Sequence, residues 1–389
     1  MLEQIDARLA ATLGAERLRR LHGSLVAVIG TGLLGGQLLP HLAMLQVQQL
    51  LVDGGEVEPP NLGNQMFPMA ALGEAKVAAR AAQVAAFNPS CPVRSFHARV
   101  EDLGLGVFDG VDLLLTGLDG RASRIAVRNV SQRLAIPWID AAVDGSGERL
   151  LGTVTCYDPR EPSSPCYACK YDDDALAAIA REGRGRGCPS WRGGDAPQTA
   201  PTLTASPFGA VVAGYQMIWA LRVLLGEGGA LAGRQLQIAA DGEPRVRVVE
   251  LAYAERCRFD HRALRPLARA AEPTVGALVA RAPAELGAEP DALQLHDRLA
   301  ARGLVCAACG ARSARVRLCR AYTDDELRCA CGAAEEMVPQ ELVARLDADE
   351  LRALAGVRFR DLGMPERDVV TVTSARGERH YLVSGEATA

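Results

Sequence analysis

The glycines of a G-x-G-x-x-G sequence, Gly30, Gly32 and Gly35, have the most specific spacing in the first part of the chain. They follow the aliphatic run 25–29 and precede a helical pattern. Such a turn lets backbone N–H groups approach a phosphate at the N-terminus of a helix. Asp53 ends the next aliphatic run, where a carboxylate can accept hydrogen bonds from a ribose hydroxyl. The pattern indicates a site for ATP, a nicotinamide or a flavin, and a glycine turn without a ligand is the alternative.

Several cysteines have the spacing of metal ligands. The chain contains 11 cysteines, an odd number, and close pairs among them favour metal binding over a disulfide framework. Cys166 and Cys169 are three residues apart, so their thiolates could bind one tetrahedral zinc ion or serve as redox thiols. Cys257 and His261 are also spaced for tetrahedral coordination, and an ordinary buried cysteine is the alternative for Cys257.

The end of the chain contains two more cysteine pairs, each followed by a glycine. They resemble the two knuckles of a zinc ribbon and consist of Cys306 with Cys309 and Cys329 with Cys331. The second pair is one residue tighter than usual, which leaves Cys319 as a substitute ligand. Zinc ribbons often bind nucleic acid, but acidic residues outnumber basic ones in 303–389 and no aromatic series accompanies the arginines. A structural or protein-docking ribbon is therefore expected.

Composition excludes several classes of protein. The chain has 389 residues, of which 49% are hydrophobic and 23% charged, as in a globular protein. A net charge of −4 and a pI near 6.0 argue against a protein that coats nucleic acid or an anionic membrane. The opening residues lack the pattern of a secretion signal, so a cytoplasmic protein is expected. The apolar stretch 207–226 contains an arginine and a glutamine, which favours a core or dimer-interface helix over a membrane span.

Elements that could position the glycine loop alternate along the first part of the chain. Aliphatic runs and helical patterns follow one another from residue 25 to residue 141, which predicts a doubly wound α/β sheet. We predict this domain over 1–265, with a mobile loop near 170–205 that is rich in glycine, proline and arginine. The other predicted segments are a linker with a helix over 266–302, a zinc ribbon over 303–335 and a small α/β segment over 336–389. Within the last segment we predict a helix over 339–355 and a terminal hairpin of strands 369–373 and 380–383.

Segment 53–76 resembles the ThiF, MoeB and HesA family of adenylating enzymes, which are related to ubiquitin-activating enzyme. In that family an acidic strand end is followed by Asn-Leu-x-Arg-Gln and then by Gly-x-x-Lys. The matching residues here are Asn61, Leu62, Gln65, Gly73 and Lys76. Asn64 stands where the family has the arginine. Asp119 with Arg124 resembles the family's Thr-Asp-Asn element and the arginine that follows it, and the ordered motifs extend over roughly residues 20 to 260.

The resemblance implies a Rossmann-like adenylation domain that uses ATP and Mg²⁺. The residues it places at ATP are Gly30, Gly32, Gly35, Asp53, Asn61, Gln65 and Lys76. Lys76 would bind the phosphates and Asp119 would hold Mg²⁺, which together neutralise charge as pyrophosphate leaves. The alternatives are a solvated helix lysine for Lys76, a helix N-cap for Asp119, and simple ordering of the loop by Asn61 and Gln65.

The resemblance also suggests a ligand set, an acyl acceptor and partners. It groups four residues into a structural Cys₃His zinc site, namely Cys166, Cys169, Cys257 and His261. Cys188 lies where many relatives carry the cysteine that takes the acyl group from AMP, and neighbouring arginines favour its thiolate. A free cysteine in a disordered loop is the alternative. A small ubiquitin-like β-grasp protein ending in glycine, a conjugating enzyme and a second copy of the chain are the implied partners.

The resulting functional prediction is ATP-dependent activation of a ubiquitin-like protein, with transfer to Cys188 or to an outside acceptor. Within the family, activation of a sulfur carrier for thiamine, molybdopterin or tRNA thiolation is the alternative. From other classes, we consider an NAD-dependent dehydrogenase, an enzyme that adenylates a tRNA base, and a silent scaffold. The scaffold would account for Asn64 but would leave Lys76 and Asp119 unexplained.

Overall fold

The computed structural model of the chain describes residues 2–145, 150–184, 204–265, 267–270, 274–323 and 325–383. Counting only described residues, the chain divides into two compact units. The first comprises residues of 1–101, 110–176 and 199–263, and the second comprises residues of 102–109, 177–198 and 264–389. Each unit has its own hydrophobic core.

The first part of the chain, up to residue 250, contains eight helices and eight strands among its described residues. The helices are α1 Leu2–Leu13, α2 Ala15–His22, α3 Leu33–Met44, α4 Pro59–Leu62, α5 Lys76–Phe87, α6 Arg121–Leu134, α7 Asp173–Arg184 and α8 Ser206–Leu224. The strands are β1 Leu25–Ile29, β2 Gln48–Val52, β3 Val93–Phe96, β4 Leu113–Thr116, β5 Trp138–Asp144, β6 Leu151–Tyr157, β7 Arg234–Ala239 and β8 Arg245–Glu250.

These strands form one sheet in the order β3-β2-β1-β4-β5-β6-β7-β8. The first five are parallel, and β6, β7 and β8 continue the sheet in antiparallel fashion. The order reverses between β1 and β4, and ligands bind outside the carboxyl ends of the strands at such a position in open α/β sheets. The predicted Rossmann-like α/β fold is confirmed, with a mixed sheet. The glycine loop follows β1, at the reversal.

The helix α8 fills much of the core of the first unit. It packs against α3 and β5, and Val212 and Ala220 are fully buried. By length and composition this helix could cross a membrane, and it is the one helix of the described residues that meets that test. More than half of the apolar segment of this helix is buried inside the chain, as expected for a core helix of a globular domain. Val211 and Ile218, seven residues apart on another face, are about half exposed.

The later part of the chain contains short strands and two helices. The helices are α9 Val275–Leu286 and α10 Ala348–Ala353. The strands are β9 Leu267–Ala270, β10 Pro290–Gln294, β11 Ala300–Ala301, β12 Leu304–Cys306, β13 Arg312–Ser313, β14 Arg317–Leu318, β15 Glu335–Met337, β16 Leu342–Val343, β17 Arg345–Asp347, β18 Asp368–Ser374 and β19 Gly377–Val383.

A five-stranded sheet in the order β17-β10-β18-β19-β9 carries the core of the second unit. The predicted terminal hairpin is confirmed as β18 and β19. The stretch 266–302, predicted as a linker, contributes β9, α9 and β10, so part of this sheet is built from it. The helix predicted over 339–355 was too long: only α10 is α-helical, because β16 and β17 pair with other strands before it. Two three-stranded sheets, β14-β11-β16 and β13-β12-β15, lie between β10 and α10 in the chain.

Candidate functional site

The glycine loop makes a turn that side chains would block. Gly30 has a φ of +82°, and a Cβ atom there would lie 2.8 Å from the Gly117 carbonyl oxygen. A Cβ atom at Gly35 would lie 1.9 Å from the Gly30 carbonyl oxygen. These close approaches bring the start of α3 against the segment after β4. The loop therefore has the tight strand-to-helix geometry that the sequence pattern predicts.

Asp53 fixes the other side of this loop. One carboxylate oxygen accepts hydrogen bonds from the Thr31 backbone N–H at 2.7 Å and from the Thr31 hydroxyl at 3.1 Å. The second oxygen accepts from the Gly55 N–H at 2.9 Å. A carboxylate offers about four lone-pair sites, so Asp53 can accept one more hydrogen bond. It is thus both an organiser of the loop and a candidate acceptor for a ribose hydroxyl.

Lys76 and Gln65 lie beside the same loop. A Cβ atom at Gly55 would be 3.6 Å from Cε of Lys76, which places the lysine side chain next to the segment that Asp53 binds. A Cβ atom at Gly32 would be 3.3 Å from Oε1 of Gln65. Lys76 is the first residue of α5 and is partly buried. The structure therefore brings the glycine loop, Asp53, Gln65 and Lys76 together.

Asn61 and Asn64 have different surroundings. The Asn61 side-chain oxygen accepts a hydrogen bond from the Glu58 backbone N–H at 2.9 Å and closes the turn at α4. The side-chain oxygens of Asn64 and Gln65 are buried and have no hydrogen-bond partner within the described part of the chain. Buried polar atoms are normally paired, so these two carboxamides are candidates to meet a polar ligand. Asn61 therefore orders its own loop, and its contact with ATP stays a prediction.

Asp119 lies between β4 and α6 and is exposed. The N-cap residue of α6 is Gly120, so Asp119 stands one residue before the N-cap position. The neighbouring Leu118 lies against Gly30. A Cβ atom at Gly30 would be 2.9 Å from a Leu118 methyl group. Asp119 is thus one residue away from a direct contact with the glycine loop, at the carboxyl end of β4.

Arg124 on α6 belongs to a buried polar network. Its Nε lies 3.0 Å from Oδ2 of Asp140, and the other Asp140 oxygen accepts from the Thr116 hydroxyl at 2.6 Å. The Trp138 indole N–H donates to the same hydroxyl. Burial alone lowers the pKa of Arg124, but the charge of Asp140 raises it overall, so the guanidinium stays charged. The network ties α6 to the last residue of β4 and to the first half of β5.

Arg80 was missed from the sequence, although a signal was present. It occupies a core-facing position of α5, between the buried Val77 and Val84, and only 2% of it is exposed. Its guanidinium donates hydrogen bonds to the carbonyl oxygens of Thr31 and Gly32 at 3.0 and 3.2 Å. Burial lowers the pKa of Arg80 to about 10, with the charge of Asp53 opposing that shift, so it remains protonated at neutral pH.

The first cysteine group converges as the sequence suggests. Cys166 Sγ lies 3.8 Å from Cys257 Sγ and 3.8 Å from Cys169 Sγ, and Cys169 Sγ lies 3.5 Å from His261 Nε2. Ligands about 2.3 Å from a tetrahedral zinc ion are separated by about 3.8 Å, and a disulfide would need about 2.05 Å. The four ligand atoms lie within 4.8 Å of one another. The donor set and its geometry fit zinc.

Arg128 lies beside this group and was also missed. It is 1% exposed, donates to the Asp260 carbonyl oxygen at 2.8 Å and stacks on Phe259. A hydrogen bond from Cys169, followed by the charge of Arg128, lowers the pKa of Cys166 to about 4, despite burial. In the short helical turn that contains Cys169, the Lys170 ammonium lies 4.2 Å from the Tyr167 ring centre.

The second cysteine group also converges. The pairs Cys306 with Cys331 and Cys309 with Cys329 have Sγ separations of 3.6 Å, and all four ligand atoms lie within 4.8 Å of one another. Cys319 is outside this group, so the short spacing of the second pair does not require it as a substitute ligand. This donor set also fits tetrahedral zinc. Hydrogen bonding from the Cys309 backbone lowers the pKa of Cys306 to about 7.

Four of the five arginines between the two cysteine pairs have acidic partners. Arg315 and Arg317 both contact Glu326. The remaining contacts join Arg312 to Glu341 and Arg320 to Asp102.

Cys188, the predicted acyl acceptor, lies outside the described residues.

The fold and the site define a nucleotide-binding α/β protein, because a glycine loop, an acidic strand end and a lysine meet at the sheet reversal. A model of the ThiF family matches residues 5–258, and the chain belongs to that family. The predicted family is therefore confirmed.

Relatives with similar sequences agree with this membership. The chain is 28% identical over 230 residues to the SAMP-activating enzyme E1 of Haloferax volcanii, covering 58% of this chain and 76% of that one. It is 29% identical over 241 residues to the adenylyltransferase and sulfurtransferase MOCS3-1 of Zea mays, covering 61% of this chain and 47% of that one. The chain thus spans about half the length of the maize protein. A crystal structure of E. coli MccB aligns with a TM-score of 0.47 at 16% identity, over 62% of this chain and 68% of that one.

Proposed function

We propose that the chain is an ATP-dependent adenylating enzyme that activates the C-terminal carboxylate of a small ubiquitin-like β-grasp protein ending in glycine. The convergence of the glycine loop, Asp53, Gln65 and Lys76 carries this proposal. In the reaction a carboxylate oxygen attacks the α-phosphorus of ATP, an acyl-adenylate forms and pyrophosphate leaves. The site has to hold two anions together and neutralise the charge that develops on the leaving group.

Lys76 has a position that favours an anionic ligand over a simple solvated role. It begins α5, where the helix dipole is positive and a cation is mildly unfavourable. A phosphate group beside the ammonium would reverse that effect. Asn64 and Gln65 would add amide donors, since side-chain amides can present either the oxygen or the nitrogen to a ligand.

Asp119 would hold Mg²⁺, which supplies charge neutralisation for the phosphates when it is bound. Its exposure and its place after β4, next to the Leu118 contact with Gly30, support this assignment. Arg124 supports the start of α6 through its ion pair with Asp140.

The ubiquitin-like substrate is supported by the names of the relatives, which include a SAMP-activating enzyme and a NEDD8-activating enzyme catalytic subunit from Schizosaccharomyces pombe. The maize relative is named as a sulfurtransferase as well, so activation of a sulfur carrier is the second candidate. ATP–pyrophosphate exchange with candidate small proteins ending in glycine tests both. If no candidate stimulates exchange, the leading proposal fails. An NAD-dependent dehydrogenase would instead bind a nicotinamide nucleotide, which calorimetry can detect.

Cys188 is proposed as the residue that takes the acyl group from the adenylate, forming a thioester and releasing AMP. Four nearby arginines in the sequence support it, because cations favour the nucleophilic thiolate. Incubation with ATP, Mg²⁺ and the cognate protein should give a covalent adduct that an added thiol cleaves by exchange. If the adduct persists in Cys188→Ala, another residue of the chain takes the acyl group. If the wild type forms no adduct, transfer goes directly to an outside acceptor.

The two cysteine groups are proposed to hold structural zinc, the second of them in a zinc ribbon. The pairing of four of the five ribbon arginines with carboxylates supports a structural or protein-docking role over nucleic-acid binding. We further propose that 303–389 contributes to docking of a conjugating enzyme. Unchanged transfer after deletion of that segment would remove the docking role.

A homodimer is proposed from the exposed apolar face of α8. Val211 and Ile218 are 49% and 55% exposed, and the intervening Gly214 has open space in place of a side chain. Helices with a small residue at the centre of an apolar face can approach a second helix closely. A second copy of this chain is the expected occupant.

A further inference from the structure

The guanidinium of Arg80 binds carbonyl oxygens of the glycine loop and so helps to fix its conformation. It is almost fully buried, and its donors reach three carbonyl groups from two separate segments of the chain. Two belong to Thr31 and Gly32 of the glycine loop, and the third belongs to Gln65. A further Arg80 N–H donates to the Gln83 side chain at 2.7 Å. Most of its five donors are therefore satisfied by groups that line the candidate site.

The orientation of the loop peptides follows from these hydrogen bonds. In a trans peptide the C=O and N–H bonds point in opposite directions. Because Arg80 binds the carbonyl oxygens of Thr31 and Gly32, the N–H groups of Gly32 and Leu33 point away from the guanidinium. Leu33 is the first residue of α3, and such N–H groups have no partner within their own helix. The loop thus presents two N–H groups in a common direction, which is the arrangement that binds phosphate.

The space for Arg80 depends on a small residue in α3. A Cβ atom at Gly36 would lie 2.2 Å from an Arg80 terminal nitrogen, so a side chain there would displace the guanidinium. The guanidinium also stacks on Phe67, 3.9 Å from the ring centre. Burying an arginine is costly, and an apolar side chain of similar volume could fill such a space with less desolvation. Gly36 and Phe67 therefore leave room for a buried, charged guanidinium beside the glycine loop.

We propose that Arg80 is a positioning residue for the ATP phosphates: it aims the N–H groups of the glycine loop and holds the Gln65 segment in place. This inference rests on the proposed function, because it assumes that ATP occupies the loop. Arg80 also supplies a fixed positive charge next to a segment in which residue 64 is a neutral asparagine. Its guanidinium acts through the loop and does not itself need to contact the nucleotide.

The test compares ligands with and without phosphates. Calorimetry on the full chain would measure the affinities for ATP with Mg²⁺ and for adenosine in wild type, Arg80→Met and Arg80→Lys. Because a hydrogen bond to a charged group is lost, Arg80→Met should weaken ATP binding by about 10-fold or more. Adenosine affinity should change little, since Asp53 keeps its own hydrogen bonds to Thr31 and Gly55. Arg80→Lys retains the charge but cannot span three carbonyl groups, so it should restore ATP affinity only in part.

Two further variants keep the inference falsifiable. Gly36→Ala retains Arg80 but displaces its guanidinium, and it should show the same selective loss of ATP affinity even if Arg80→Met fails to fold. Arg94→Met removes an exposed arginine from β3 and should bind ATP as wild type does. Equal losses for ATP and adenosine would show a structural role only. Unchanged ATP affinity in Arg80→Met and Gly36→Ala would also overturn the inference while leaving the proposed function intact. Absence of ATP binding by the wild type would overturn both.

Discussion

Arg124 and Asp140 form an ion pair that is almost closed to solvent, with 9% and 8% of their side chains exposed. The pair joins α6 to β5 directly after the loop that carries Asp119. Because removing one partner leaves a buried charge without compensation, Arg124→Met should destabilise the first unit by about 3 to 5 kcal/mol. Denaturant unfolding would measure the change. The double variant with Asp140→Asn should lose less than the sum of the single variants, and strict additivity would argue against a coupled pair.

Lys76→Ala should lower pyrophosphate exchange by about 100-fold, a typical cost of removing one group that stabilises developing charge. The unfolding midpoint should hardly change, because Lys76 begins α5 and does not fill the core. Lys170→Ala is the matched control, since it removes the other lysine from a place beside Tyr167. Comparable exchange losses in the two variants would assign the effect to stability and not to the phosphates.

Metal analysis of the purified chain should find two zinc ions per molecule, one for each cysteine group. Cys166→Ser and Cys309→Ser should each reduce the content to one, because a tetrahedral site rarely keeps its ion with three ligands of this kind. A wild-type content near one would remove one of the two assignments.

Arg128→Met should release zinc from the first group more easily. Three thiolates around a divalent zinc ion carry a net negative charge, and Arg128 lies buried beside Cys166. Loss of such a supporting group typically lowers metal affinity by about 10- to 100-fold. Chelator competition would measure it, with the second group of the same chain as an internal control. Equal retention of both ions would contradict the role.

Val211→Asp combined with Ile218→Asp should convert a dimer to a monomer, because both side chains would bring charge into the α8 interface. Light scattering coupled to size-exclusion chromatography would give the mass. Leu299→Asp changes an exposed apolar residue of the second unit and should leave the mass unchanged. A wild-type chain that is monomeric at all concentrations would remove the proposed dimer.

The sequence predicted those parts of the site that depend on local spacing. Gly30, Gly32 and Gly35 are close in the chain, and Asp53 and Lys76 stand at the ends of recognisable elements. Arg80 could be suspected from its place between Val77 and Val84, but its partners lie up to 49 residues away. Helical periodicity shows which face is buried and not which groups meet it.

The later part of the chain was harder to predict for the same reason. Strands of two or three residues, such as β11 and β16, carry almost no period-two signal, and their pairing is set by partners far along the chain. The cysteines of the second group were evident from spacing alone. The short helix α10 begins with an Asp347 capping box, but its limits depend on the strand pairing that precedes it.

The chain contains only two lysines, one beside the nucleotide loop and one beneath tyrosine rings. Reagents that acylate primary amines on side chains therefore have two targets in 389 residues. Mass spectrometry after brief labelling would give one signal that a nucleotide can shield and another that it cannot. The ratio of labelling at Lys76 to labelling at Lys170 would therefore measure how much of the site is occupied by nucleotide.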